Sequence, residues 1–132
     1  MPRREGDVNL GAVLLYADDF ESMLAFYRDV LGLKVLEINP GPEYDEGVDF
    51  VYLDAGGPGV EIFDRSVHPT ELPMTVGGSV RAGFSVDDLE STRDDLIACG
   101  VEVGGIVIRQ WGSYVELTDP ENNPLVIFQV AA

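Results

Sequence analysis

The feature of the sequence that most constrains the fold is an internal repeat. The segment Asp18–Ser22 (DDFES) recurs as Asp87–Ser91 (DDLES). Each copy begins a stretch in which apolar residues recur at helical spacing, with acidic residues placed to cap a helix. Both stretches end at a glycine, Gly32 or Gly100, the residue that most readily adopts the left-handed conformation at a helix end. The second predicted helix buries Leu89, Leu96 and Cys99.

The repeat continues downstream, where residues 54–63 align with residues 119–128. Both segments are typical of a β-hairpin with a turn rich in Gly, Pro and Asn, and an apolar strand precedes each helix. The fold class predicted is therefore α+β, with two tandem βαβββ modules forming a curved mixed sheet around a shared cavity. Module one spans about residues 8–64, a linker follows over 65–79, and module two spans about 80–130.

The hairpins also predict which side chains share a face. In module one, Tyr52 is expected opposite Glu61, and Phe50 opposite Phe63. The same construction in module two places Leu117 opposite Val126, and Val115 opposite Phe128. The first set then includes a charge, and the second is wholly apolar.

Composition excludes several classes of protein. The 132 residues include 24 acidic and 8 basic side chains, a formal net charge of -16. This charge argues against a nucleic acid or an anionic membrane as partner, since binding phosphates needs a basic patch. A single cysteine, Cys99, excludes an intrachain disulfide, and a single histidine, His68, excludes a histidine-rich metal centre. With no apolar signal segment at its N-terminus, the chain is expected in the cytoplasm.

Two further motifs carry a resemblance to a known family. Residues 26–33 read FYRDVLGL, and residues 110–112 (QWG) are followed by residues 119–124 (DPENNP). In this order, on a repeated unit, they resemble motifs of the vicinal oxygen chelate superfamily, which includes glyoxalases, bleomycin resistance proteins and extradiol dioxygenases. The resemblance implies the fold given above, a small-molecule ligand, and a homodimer that completes its cavities across the interface.

The same resemblance implies four metal-ligand positions, one on the first and one on the last strand of each module. In this chain they carry Ala12, Glu61, Arg81 and Val126. Only Glu61 can bind a metal, because alanine and valine offer no lone pair and a guanidinium repels a cation. We therefore expect no metal cofactor, and we expect Arg81 to pair with Glu61 where the metal would lie. These substitutions favour binding without catalysis, although the sequence leaves an enzyme open.

The leading hypothesis is thus a metal-independent protein that sequesters an aromatic or cationic natural product, as antibiotic resistance proteins of this family do. The expected ligand-binding residues are Phe50, Tyr52, Glu61, Phe63, Arg81, Trp111 and Phe128, although each aromatic residue is also a candidate for plain core packing.

Other functions stay open at this point. The chain could be a metal-dependent lyase, isomerase or dioxygenase with ligands such as His68 or Glu116. It could be a metal-free enzyme of secondary metabolism, with Arg81 stabilising an oxyanion and Glu61 or Tyr52 moving a proton. A third alternative is an interaction module with a filled cavity. His68 and Cys99 also have simpler interpretations, as a solvated loop residue and a small buried side chain.

Overall fold

A computed structural model gives the fold of the chain and describes Gly6 and residues 10–39, 49–67 and 80–132. His68 and most of the predicted linker lie outside these residues. No helix in the described ranges is long and apolar enough to cross a membrane.

Each module contains the elements that the repeat predicts. Module one has strand β1 (Ala12–Ala17), helix α1 (Phe20–Ala25) continuing as a π-helical turn (Phe26–Val30), and strands β2 (Lys34–Asn39), β3 (Phe50–Asp54) and β4 (Gly59–Asp64). Module two has β5 (Ala82–Ser85), α2 (Leu89–Ala98), β6 (Val107–Arg109), β7 (Gly112–Thr118) and β8 (Pro124–Val130).

The two modules form two four-stranded mixed sheets of the same topology. Their strand orders are β1-β4-β3-β2 and β5-β8-β7-β6, with the first pair of each parallel and the others antiparallel. This confirms the predicted fold class. Within the described part of the chain the sheets are not hydrogen-bonded to one another, so β1 and β5 are both edge strands.

The helices begin and end as the repeat indicates. Asp19 and Asp88 are the N-cap residues, and their carboxylates accept hydrogen bonds from the backbone N–H of Ser22 (3.1 Å) and Ser91 (3.0 Å). Glutamate is therefore the second residue of each helix and serine the third, so these caps lack the Glu or Gln that a capping box has at the third position. Positive φ angles at Gly32 (+76°) and at Gly100 (+84°) end the two helical segments.

A core of apolar residues lies between the helices and one face of each sheet. It includes Phe20, Met23, Leu24, Tyr27, Val51, Leu53, Val60, Ile62, Leu89, Leu96, Val115, Leu117, Leu125 and Ile127. The prediction that Cys99 is buried is wrong, since this residue is exposed. Helix α2 ends at Ala98, and Cys99 is its C-cap residue, where the chain leaves the helical path.

The predicted register of the second hairpin is also wrong, by one residue. Leu117 pairs with Leu125 and Val115 with Ile127, whereas Val126 lies opposite Glu116. The cause is a turn one residue longer than that of the first hairpin, because residues 119–123 separate β7 from β8, whereas residues 55–58 separate β3 from β4. Since side chains alternate between faces, this shift puts Glu116 on the face predicted to be apolar.

Candidate functional site

The face of each sheet that points away from the core carries most of the predicted site residues. We call these the first open face (module one) and the second open face (module two). On the first open face, Phe50 lies opposite Phe63 and Tyr52 opposite Glu61, as predicted. All four side chains are half-buried, while their neighbours along β3 and β4 are in the core.

Aromatic rings form a cluster at one end of the first open face. The rings of Tyr16 and Phe63 are stacked, with centroids 5.0 Å apart and planes 13° apart. Phe50 adds a tilted contact to Phe63 at 4.9 Å. Tyr16 was not among the predicted ligand-binding residues. The alternation of apolar residues along β1, which places Leu14 and Tyr16 on one face, could have identified it. The cluster places three half-buried aromatic rings on the face that carries Glu61.

Tyr52 covers the start of β4. A Cβ atom at Gly59 would lie 2.4 to 2.6 Å from two ring atoms and the hydroxyl oxygen of Tyr52, so the phenol occupies the space above this glycine. Gly59 pairs with Ala12 on β1. The phenol therefore lies next to one of the positions where the family resemblance implies a metal ligand.

Glu61 is the half-buried charged group of the first open face, which also carries the exposed Lys34, Glu37 and Asp54. Its neighbours across the sheet are Tyr52 on β3 and Leu14 on β1. Among the described residues its carboxylate, half-buried, makes no hydrogen bond or ion pair. A partly desolvated carboxylate without a partner favours a cationic group brought by a ligand.

The second open face carries the other predicted charge, Arg81. The prediction that Arg81 pairs with Glu61 is wrong, because its guanidinium makes an ion pair and hydrogen bond with Glu116 of its own module. The register shift that moves Glu116 to this face is the physical reason. Both side chains are about half exposed, 46% and 58%, so the pair is a surface pair of modest energy.

A second aromatic cluster lies on the second open face. Trp111 stacks with Tyr114, with centroids 6.0 Å apart and planes 6° apart, and makes an edge contact with Phe128 at 6.1 Å. Trp111 itself is 50% exposed, so much of its ring is free to contact another molecule. Tyr114 was missed because the predicted register placed Val115 on this face instead.

A cleft of about 910 Å³ lies between the two modules. Of the predicted site residues, Arg81 and Phe128 line it, together with the turn at residues 55–59 and Leu96 of α2. The side chains of the first open face are not among its described lining residues. The predicted residues thus fall into two groups, one on each open face, and the cleft contacts only the second group.

The junction between the modules holds a buried polar pair. The hydroxyl of Tyr27 donates a 2.8 Å hydrogen bond to Oδ2 of Asp119, and both residues are almost fully buried. Burial raises the pKa of Tyr27 above its ordinary value, and the negative charge and hydrogen bond of Asp119 raise the pKa further. The phenol therefore stays a neutral donor. These two residues belong to the family motifs of residues 26–33 and 119–124.

The four positions implied for a metal do not suit one. Ala12, Arg81 and Val126 provide no ligand atom, which leaves Glu61 alone. Among the described residues no group of three or more His, Cys, Asp and Glu side chains is placed to hold a metal ion. A catalytic zinc site normally has three protein ligands. The donor set therefore does not fit the metal centre that the family resemblance implies.

Comparison with known proteins agrees with the fold. Residues 9–127 match the family model described as the Glyoxalase/Bleomycin resistance protein/Dioxygenase superfamily. The mitochondrial methylmalonyl-CoA epimerase of Mus musculus is 32% identical over 96 residues, which are 66% of this chain and 51% of that protein. The chain thus spans about half the length of this curated relative.

Two solved structures illustrate the likeness. TnmS3, an antibiotic-binding protein from Streptomyces sp. CB03234, superposes with a TM-score of 0.73 at 22% identity, covering 96% of this chain and 98% of that one. A lactoylglutathione lyase from Agrobacterium tumefaciens gives a TM-score of 0.67 at 23% identity, covering 94% and 95%. At this identity the structures show a shared fold, and the family match covers most of the sequence. The chain therefore belongs to the Glyoxalase/Bleomycin resistance protein/Dioxygenase superfamily.

Proposed function

We propose that this chain is a metal-independent small-molecule-binding protein that sequesters an aromatic or cationic natural product against its open faces. The observation that carries the proposal is the pair of aromatic clusters, one on each open face, with Trp111 half exposed. Flat rings bind other flat rings by stacking, and they attract cations through their π faces. The cytoplasmic location predicted from the sequence is part of this proposal.

Charge supports a cationic ligand. Glu61 has no partner among the described residues, whereas the positive charge of Arg81 is offset by Glu116. The first open face carries three carboxylates, those of Glu37, Asp54 and Glu61, against one ammonium, that of Lys34, so it is net negative. The antibiotic-binding protein of the same fold is a precedent for a small-molecule ligand.

The donor chemistry supports binding without a metal. Three of the four implied ligand positions hold residues that cannot coordinate one, and Tyr52 covers the strand position that pairs with Ala12. A ligand would then be held by stacking and by charge rather than by chelation.

We include a homodimer in the proposal. Strands β1 and β5 are edge strands in the described chain, and exposed edges of this kind are usually covered in native proteins. The side chains of the first open face do not line the cleft in the described part of the chain, so a second copy could supply a wall opposite them. Sedimentation equilibrium tests this directly, with an expected mass twice the 14.4 kDa of one chain. A monomer at every concentration would contradict it.

An enzyme of the superfamily is the second candidate function. It is favoured by the relative named as an epimerase and by two groups able to exchange protons, Tyr52 and Glu61, at paired positions on one face. The expected pair of Glu61 and Arg81 gives the enzyme no support, because Arg81 pairs with Glu116 instead. Elemental analysis of the purified protein separates the metal-dependent form of this candidate from the binding protein, since a stoichiometric metal is expected only for the enzyme.

Calorimetric titration tests the leading proposal. The ligands are acridine orange, a planar cation, pyrenemethanol, a planar neutral molecule, and bleomycin. Phe63→Leu removes the central ring of the first cluster. It should lower the affinity for both planar ligands about tenfold, or about 1.4 kcal/mol. Glu61→Gln should lower the affinity for acridine orange by about the same factor and leave the affinity for pyrenemethanol unchanged.

Glu90→Gln is the matched control, because Glu90 is an exposed glutamate of α2 that lies away from both open faces. This variant should bind like the parent. No binding by any of the three compounds, or equal losses in Glu61→Gln and Glu90→Gln, would overturn the proposal.

A further inference from the structure

The hydrogen bonds that join the two modules all involve one turn in the described part of the chain. The carboxylate of Glu121 in module two accepts from the backbone N–H groups of Asp18 (3.0 Å) and Asp19 (2.8 Å) in module one. The third bond is the one from Tyr27 to Asp119. The turn at residues 119–123 therefore contacts module one at two separate points, the residues just before α1 and the π-helical turn that follows it.

This turn is itself rigid. Oδ1 of Asp119 accepts from the backbone N–H of Glu121 and of Asn123, each at 3.0 Å, and Oδ2 accepts from the side-chain amide of Asn123 at 2.8 Å. Asn122 has a positive φ of 66°. Since Asp119 is buried, the direction in which Glu121 projects is fixed by its own module.

The equivalent turn of module one has no such side chain. By the repeat, Gly56 occupies the position of Glu121. Its N–H bonds to the carboxylate of Asp54, which is exposed where Asp119 is buried. Instead of contacting α2, this turn lines the cleft of about 910 Å³ opposite Leu96. The modules are thus joined on one side and separated on the other.

We infer that Glu121 is a positioning residue that sets the angle between the two modules, and with it the relative placement of the two open faces. Asp18 and Asp19 directly follow β1, which carries Tyr16 of the first open face. Without the carboxylate of Glu121, one hydrogen bond between the modules remains, from Tyr27 to Asp119, together with apolar packing such as that of Tyr27 with Phe84, at 6.5 Å between ring centroids. The cleft then gives the modules room to change their angle.

Distances between spin labels test this inference on the full chain. One label is placed on the natural Cys99, which is exposed at the end of α2, and the other on Lys34→Cys, at an exposed position of β2. Pulsed electron resonance should give one narrow distance distribution. Adding Glu121→Ala should at least double its width, and Glu121→Gln, which keeps one acceptor oxygen, should give an intermediate width.

Glu90→Ala is the matched control and should leave the distribution unchanged. Near-ultraviolet circular dichroism, recorded on each variant, should show that the packing inside both modules is retained. An unchanged distribution in Glu121→Ala, or equal broadening in Glu90→Ala, would overturn the inference.

The consequence for binding rests on the proposed function and has its own measurement. Glu121 lies on neither open face. If the ligand contacts both faces, Glu121→Ala should nevertheless lower the affinity for acridine orange at least fivefold, and Glu121→Gln should lower it less. Absence of acridine orange binding in the parent would contradict the proposed function alone, because the label distances still decide the role of Glu121.

Discussion

The buried hydrogen bond between Tyr27 and Asp119 gives the sharpest stability prediction. Tyr27 is 1% exposed and Asp119 is 3% exposed, and their 2.8 Å bond joins a hydroxyl to a carboxylate. A hydrogen bond to a charged group contributes about 1.5 to 3 kcal/mol, so Tyr27→Phe should cost about 2 kcal/mol. Asp119→Ala also removes the acceptor for three donors of its turn, and should cost about 4 kcal/mol.

The double variant distinguishes this account from simple addition. In Asp119→Ala the buried hydroxyl of Tyr27 is left without an acceptor, and phenylalanine at position 27 removes that penalty. We therefore expect the double variant to cost about 4 kcal/mol rather than the sum of about 6, a coupling of about 2 kcal/mol. Urea denaturation of all four proteins measures the free energy of unfolding.

Tyr16→Phe is the matched control, because no hydrogen bond of the Tyr16 hydroxyl is found among the described residues, and it should change stability by less than about 0.5 kcal/mol. Additive costs in the double variant would refute the reasoning. The raised pKa of Tyr27 gives a second check. Its stabilisation is complete below the ordinary tyrosine pKa near 10 and is lost as pH rises toward the higher folded value, so the parent should lose stability above pH 10 more steeply than Tyr27→Phe.

Three further predictions concern single positions. Gly112→Ala should cost more than about 2 kcal/mol by thermal unfolding, because the added Cβ would lie 2.2 Å from the backbone oxygen of Gln129; an unchanged midpoint would contradict this. Hydrogen bonds from Ser22 lower the pKa of Asp19, so Asp19→Ala should be less stable than the parent at neutral pH, and the difference should vanish as pH falls through the folded pKa. A constant difference down to pH 2 would refute that cause. Arg81→Ala should change the free energy of unfolding by less than about 1 kcal/mol. It should also increase the affinity for acridine orange in titration, because a positive charge is removed; a lower affinity would show that Arg81 contacts the ligand.

The two modules could be predicted from the sequence because the repeat, the caps and the glycine ends are local signals. The first open face could be predicted as well, since its turn is short and fixes the pairing of Tyr52 with Glu61. The second open face could not, because its register depends on the one additional residue in the turn that Asp119 organises. A shift of one residue exchanges the faces of a strand, and that exchange is why Glu116 rather than Glu61 pairs with Arg81.

The exposed state of Cys99 and the role of Glu121 have a similar explanation. Helical spacing places Cys99 near the apolar side of α2 but does not show that the helix stops one residue earlier. The partners of Glu121 are more than 100 residues distant in sequence, so only the packing of module two on module one brings them together.

The central claim is that this chain binds a small molecule without a metal. Its most direct test is the dissociation constant of acridine orange, measured by calorimetry after treatment with EDTA and again after adding a stoichiometric amount of Zn²⁺. The account predicts saturable binding in the metal-free protein and a dissociation constant unchanged by zinc, because Glu61 alone is no metal site. Binding that appears only after zinc is added, or no binding in either state, would contradict it.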